Sequence, residues 1–128
     1  MNPWVVLASA AGGTLGTIAR YAVGMISLRL LGSGFPYGTL FINISGSFLI
    51  GVFAELFALR WNASQEMRAF LTVGICGGYT TFSTFSLDFS VLLGRGHLLL
   101  GLLYVFASVI VGILALYGGL YLIRAIYT

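Results

Sequence analysis

Four long stretches of this 128-residue chain carry no charged side chain: residues 1–19, 30–54, 69–87 and 98–123. A helix needs about 20 mostly apolar residues to cross the hydrocarbon core of a bilayer, and each stretch is close to that length or beyond it. The pattern predicts an all-α membrane protein with four transmembrane helices, at roughly 3–30, 37–60, 66–94 and 98–126, forming one unit over residues 1–128. The connections are short: Gly32-Ser33-Gly34-Phe35-Pro36, then Asn62-Ala63-Ser64-Gln65, then Gly94-Arg95-Gly96-His97. Ser64 is the expected N-cap of the third helix, with Glu66 at the positive end of its dipole. Leu7-Ala8-Ser9-Ala10 has the small residues of a leader cleavage site, but no Lys or Arg precedes the apolar stretch, so cleavage there is not expected.

Composition removes the competing classes. The six basic and three acidic side chains amount to 7% of the chain, against roughly 25% in a soluble domain. Mean hydropathy is +1.05. So few charges cannot cover the surface of a small soluble enzyme or a disordered tail. The cations are Arg20, Arg29, Arg60, Arg68, Arg95 and Arg124, scattered singly; nucleic-acid binding needs a clustered basic footprint. A single cysteine, Cys76, allows neither an internal disulfide nor a cysteine metal cluster. No motif of nucleophilic or metal catalysis is present, and His97 reads as a solvated residue at the membrane interface.

The arginines barely favour one side of the membrane. Arg60, Arg68 and Arg124 fall near one face, Arg29 and Arg95 near the other. Two readings are open: an ordinary protein with weak topology signals, or a chain that inserts both ways and pairs with an inverted copy of itself.

The third stretch is not a plain helix. Residues 77–86 read Gly-Gly-Tyr-Thr-Thr-Phe-Ser-Thr-Phe-Ser. Glycine is poor inside a helix, and Ser and Thr compete for its backbone bonds. The helix is expected to break near Gly77–Thr81, away from lipid. A break exposes carbonyls at one half-helix end and N–H groups at the other, a pattern that points to an ion site. Elsewhere, Gly12 and Gly16, Ser47 and Gly51, Gly74 and Gly78, and Ser108 and Gly112 have the spacing of close helix packing.

Polar groups fall on helix faces. Thr39, Asn43 and Ser47 share one face, and Tyr104, Ser108 and Gly112 another. The hydroxyls can bond their own helix; the Asn43 amide has more bonds to satisfy. Phe82 and Phe85 lie three apart on the second half-helix. Core packing is the ordinary reading of such a pair, yet they alternate with hydroxyls, and the electropositive edge of a ring can contact a small anion. Arg20 and Asp88 lie inside spans, where a charge is costly; they either pair or each line a water-filled vestibule.

These segments resemble a known family. Gly77 to Ser86 is similar to the GG-x-[ST]-TFSTFS signature of the Fluc (CrcB) fluoride channels. Gly12-Gly13-Thr14-Leu15-Gly16-Thr17-Ile18-Ala19-Arg20 resembles their GG-x-x-G-x-x-x-R motif, and Gly38-Thr39-Leu40-Phe41-Ile42-Asn43 their GTL-x-x-N motif. The resemblance implies a passive, selective fluoride channel subunit that exports the ion across the bacterial inner membrane and relieves its toxicity. It implies an antiparallel, dual-topology homodimer surrounded by lipid, with two pores. Phe82 and Phe85 would form an aromatic box, and Asn43 would donate to fluoride. Tyr104, Ser108, Ser83 and Thr84 would line the pore, and Arg20 the vestibule. The Gly77 and Thr80 carbonyls of both subunits would hold a central structural Na+. One position departs: the family usually has Glu where this chain has Asp88, which puts a gating or coupling role there in question.

Two other readings fit less well. A small dual-topology, proton-coupled multidrug exporter needs an intramembrane carboxylate, typically in the first helix. Residues 1–31 contain no Asp or Glu, and Arg20 would repel a cation. A purely structural subunit leaves the hydroxyl cluster at 77–86 unexplained.

Overall fold

A computed structural model describes all 128 residues, and every regular element in it is helical. Helix α1 spans Pro3–Leu31 and α2 spans Tyr37–Leu59. The third stretch begins as α3, Gln65–Arg68, and continues without interruption through a π-helical segment, Ala69–Cys76, into the single turn α4, Gly77–Tyr79. Thr80 and Thr81 are extended, and the chain resumes as α5, Phe82–Gly94. Helix α6 spans Leu98–Tyr127.

Local chemistry explains the ends. Asn2 caps α1, its side chain accepting from the Trp4 N–H at 2.9 Å, and Pro3 follows at the first helical position, where a missing N–H costs nothing. Ser64 caps α3 as expected, accepting from the Met67 N–H at 3.1 Å. Gly32 and Gly96 have φ of 77° and 78°, the left-handed region that a side chain disfavours, and they turn the chain after α1 and before α6.

Helices α2 and α6 are the two elements long and apolar enough, by length and composition, to cross a membrane. Helix α1 has the length, but Arg20, Arg29 and its glycines and threonines dilute its hydropathy. The third stretch is divided by its break, as the sequence predicts.

The chain packs as two long pairs. Helix α2 lies along α6, and α1 lies along the π segment and α4. Small residues make both contacts possible; the spacing read from the sequence matches the α1 contact, through Gly12, Gly16, Gly74 and Gly78, while α6 meets α2 closely at Gly119 and not at Ser108 and Gly112. A Cβ on Gly16 would strike the Ile75 carbonyl and come within 2.8 Å of the Tyr79 nitrogen. Gly51 and Gly119 meet across the α2–α6 pair in the same way.

The pairing sorts the charges by end. At one end Arg124 forms an ion pair with Glu55 at 2.7 Å, Arg60 sits over the Tyr127 ring and Arg68 over the Phe57 ring. At the other end Arg95 donates to the Ser33 carbonyl at 3.0 Å, joining the two loops.

Candidate ion site at a broken helix

The break in the third stretch is held open by side chains from α1 and α2. Asn43 on α2 faces it with both ends of its amide: its Nδ2 donates to the Thr81 carbonyl at 3.0 Å, and its Oδ1 accepts from the Thr81 N–H at 2.9 Å. Arg20 on α1 donates from Nε to the Gly78 carbonyl at 3.2 Å. This places a cation on a carbonyl at the end of a half-helix, where the dipole favours it. Ser45 on α2 and the Tyr79 hydroxyl share a hydrogen bond of 2.8 Å.

Helix α5 then starts with Thr81 as its N-cap, the Oγ1 accepting from the Thr84 N–H at 3.2 Å. In an uninterrupted α-helix the N–H of Thr81 would bond the Gly77 carbonyl and that of Thr84 the Thr80 carbonyl. Both donors are engaged elsewhere. Two carbonyls, one in the last turn before the break and one within it, lose their helical partners, a donor set of hard neutral oxygens that suits a small monovalent cation. The residues implied to hold Na+, Gly77 and Thr80, therefore fit such an ion.

Two clefts flank the break. One, of about 330 Å³, is lined by Asn43, Ser47, Gly77, Thr80, Phe82, Phe85 and Ser108 among others. The Ser108 Oγ is buried and has no hydrogen-bond partner. The other, of about 440 Å³, is lined by Arg20, Thr39, Thr84, Asp88 and Arg95 among others. Thr81 lines both. The guanidiniums of Arg20 and Arg95 are engaged by backbone carbonyls, not carboxylates. With Asp88 as the single acid in its wall, the larger cleft carries a positive excess.

Tyr104 lines neither cleft but contacts residues of both. It is fully buried, its ring centroid lies 5.1 Å from that of Phe85 and 5.6 Å from that of Phe35, and its hydroxyl donates to Asp88 Oδ2 at 3.2 Å. Phe82 and Phe85 are 5.5 Å apart at 54°. Phe82 is 77% exposed.

Most of the residues singled out from the sequence thus gather around one break. Asn43, Gly77, Thr80, Phe82, Phe85 and Ser108 share the smaller cleft; Arg20 and Thr84 line the larger. Ser83 lines neither: it is exposed, its hydroxyl 3.4 Å from Thr81 Oγ1. The Thr39, Asn43, Ser47 face divides between the clefts, Thr39 entering the larger. Arg20 and Asp88 do not pair: they line one cleft and form no ion pair. Sequence reasoning missed the Tyr79–Ser45 bond and the Phe35–Tyr104 contact, for which spacing gives no signal. It also missed the capping role of Thr81, which the Thr-x-x-Thr spacing could have revealed.

Comparison with known proteins bears on what such a site is for. A family model described as CrcB-like protein, Camphor Resistance (CrcB), matches residues 7–120. The chain is 58% identical to the fluoride-specific ion channel FluC 1 of Nitrobacter hamburgensis, over 94% of this chain and 96% of that one. It is 54% identical to the fluoride-specific ion channel FluC of Nitrobacter winogradskyi, again over 94% and 96%. It is 52% identical to that of Rhizobium meliloti at the same coverage. A match of this extent leaves no segment of the site outside the shared region, and the chain belongs to the CrcB family, alongside its fluoride-specific channel relatives.

Proposed function

We propose that this protein is a passive, fluoride-selective channel of the bacterial inner membrane, which lets the ion leave the cell and so relieves its toxicity. All four stretches cross the bilayer, and residues 1–128 form one channel subunit. The observation that carries the reading is the convergence of weak, neutral anion-contacting groups on one cleft: the Asn43 amide, two phenylalanine rings and the unpartnered Ser108 hydroxyl.

Fluoride is small and strongly hydrated. A path for it must replace its water with donors placed closely enough to compensate and weakly enough to release the ion. The larger cleft, with its positive excess, is the vestibule where Arg20 and Arg95 raise the local anion concentration. From there the ion passes Thr84 and Tyr104 toward the smaller cleft. One Nδ2 hydrogen of Asn43 is taken by Thr81 and the second serves the ion, with the edges of Phe82 and Phe85 completing its surroundings. Ser108 takes the ion onward, and Ser83 joins the pore wall at its exposed edge.

The functional unit is an antiparallel, dual-topology homodimer with two pores, embedded in lipid. The exposure of Phe82 and Gly77 on one subunit supports this: both line the cleft, and a second copy would cover them. The carbonyls of Gly77 and Thr80 from both copies would hold one structural Na+, which would supply fixed positive charge at the breaks.

The decisive measurement is ion release from proteoliposomes. Fluoride is expected to leave rapidly with no proton gradient, and chloride to stay behind. Equal release of the two ions, or fluoride release that requires a proton gradient, would overturn the reading.

A further inference from the structure

We propose that Asn43 and Thr81 are positioning residues for the cation: their side chains take the two main-chain N–H groups that would otherwise close the helix over the Gly77 and Thr80 carbonyls. This rests on the sodium reading above and adds the side chains that make such a site possible.

The register is the argument. An α-helix directs the N–H of residue i onto the carbonyl of residue i−4. Thr81 and Thr84 are the donors that belong to Gly77 and Thr80. The first is instead held by Asn43 Oδ1 at 2.9 Å and the second by Thr81 Oγ1 at 3.2 Å. The intervening carbonyl, Gly78, is covered by Arg20 Nε at 3.2 Å. Side chains therefore fill one carbonyl and divert the donors of two others.

The Asn43 bonds act as a pair. Turning the amide over would set its NH2 against the Thr81 N–H and its oxygen against the Thr81 carbonyl, losing both bonds. The pair thus fixes one orientation of the amide, and it fixes the extended backbone of Thr81, with φ −153° and ψ 122°. The break lies in a chain with no charged residue between Ala69 and Leu87, where an N–H without a partner is costly. Deprived of Asn43 or of the Thr81 hydroxyl, each N–H turns back to its helical carbonyl, and the cation loses that ligand.

The test uses sodium dependence and needs no flux. Thermal unfolding of the purified protein is followed while Na+ replaces a large organic cation, N-methylglucamine, at constant ionic strength. The wild-type chain is expected to gain stability with a saturable midpoint in Na+. Thr81→Val keeps the branched shape and removes the hydroxyl; Asn43→Leu keeps most of the volume and removes the amide. Each is expected to raise the midpoint about fivefold, the effect of one diverted hydrogen bond. Thr81→Ser, which restores the hydroxyl, is expected to return it to within about twofold of the wild-type value. Variant midpoints equal to that of the wild-type chain would overturn the positioning role and leave the sodium reading standing. A wild-type chain indifferent to Na+ would overturn both. Should Asn43→Leu fail to fold, Thr81→Val and its serine rescue decide the matter.

Discussion

At the scale of the residue, the site works with weak groups in number. No charged side chain reaches the smaller cleft; its polar contacts are an amide, hydroxyls and carbonyls, and its walls are rings. Removing the ring of Phe82 while keeping bulk isolates what the ring edge contributes. Phe82→Ile is expected to lower fluoride efflux from proteoliposomes about twofold to tenfold, since an edge contact to a desolvated anion is of the order of the aromatic contacts measured in proteins. Size-exclusion chromatography is expected to give an unchanged assembly. Undiminished efflux would reduce Phe82 to packing. Residue type and spacing made several of these groups legible in the sequence: hydroxyls and glycines crowded into residues 77–86, and an asparagine in an apolar stretch, each needed an explanation. Their partners were not legible. Asn43 meets Thr81 across 38 positions of chain, and Tyr104 meets Asp88 across 16. Such pairings come from how helices lie against one another, which spacing along one helix does not encode.

At the scale of the element, the same contrast recurs. The break at Thr80 and Thr81 follows from local chemistry, because glycine and threonine both weaken the helix there. The π-helical winding of Ala69–Cys76 does not, since Ala-Phe-Leu-Thr-Val-Gly-Ile-Cys reads as any apolar helix. It runs where α1 lies closest, and π segments are frequent at functional sites. The contact with α1 depends on an absent side chain at Gly16, which allows the Ile75 carbonyl and the Tyr79 nitrogen to approach. Gly16→Val places a branched side chain against backbone that cannot retreat without moving the half-helix ahead of the break. The variant is expected to lose about 1–3 kcal/mol of stability, the usual cost of overpacking, read as a lower unfolding temperature in detergent. It is also expected to lower fluoride efflux, because the displaced half-helix carries Gly77 and Thr80. An unchanged unfolding temperature would mean that the close approach of the two helices is not needed.

At the scale of the whole molecule, the arginines decide orientation. The fold puts Arg60, Arg68 and Arg124 at one end and Arg29 and Arg95 at the other, as their order along the chain predicts. At the heavier end Glu55, only 7% exposed, pairs with Arg124, and Glu66 lies beside Asn2. Insertion responds to the excess of Lys and Arg in short flanking segments, and three against two gives little preference. A chain with so small a bias is expected to enter the membrane in both directions, which supplies the inverted copy that an antiparallel dimer requires. A cysteine at Ser33, exposed in the 32–36 loop, reports the outcome. The native Cys76 is 1% exposed and gives little background. In intact cells a membrane-impermeant thiol reagent is expected to label about half of the Ser33→Cys protein, and permeabilisation to expose the rest, as near-equal insertion requires. Complete labelling in intact cells, or none before permeabilisation, would establish one orientation and remove the antiparallel dimer. Adding a second arginine beside Arg95, as His97→Arg, sharpens the test. It levels the count at three against three, so the fraction labelled in intact cells is expected to fall as more molecules hold this loop inside.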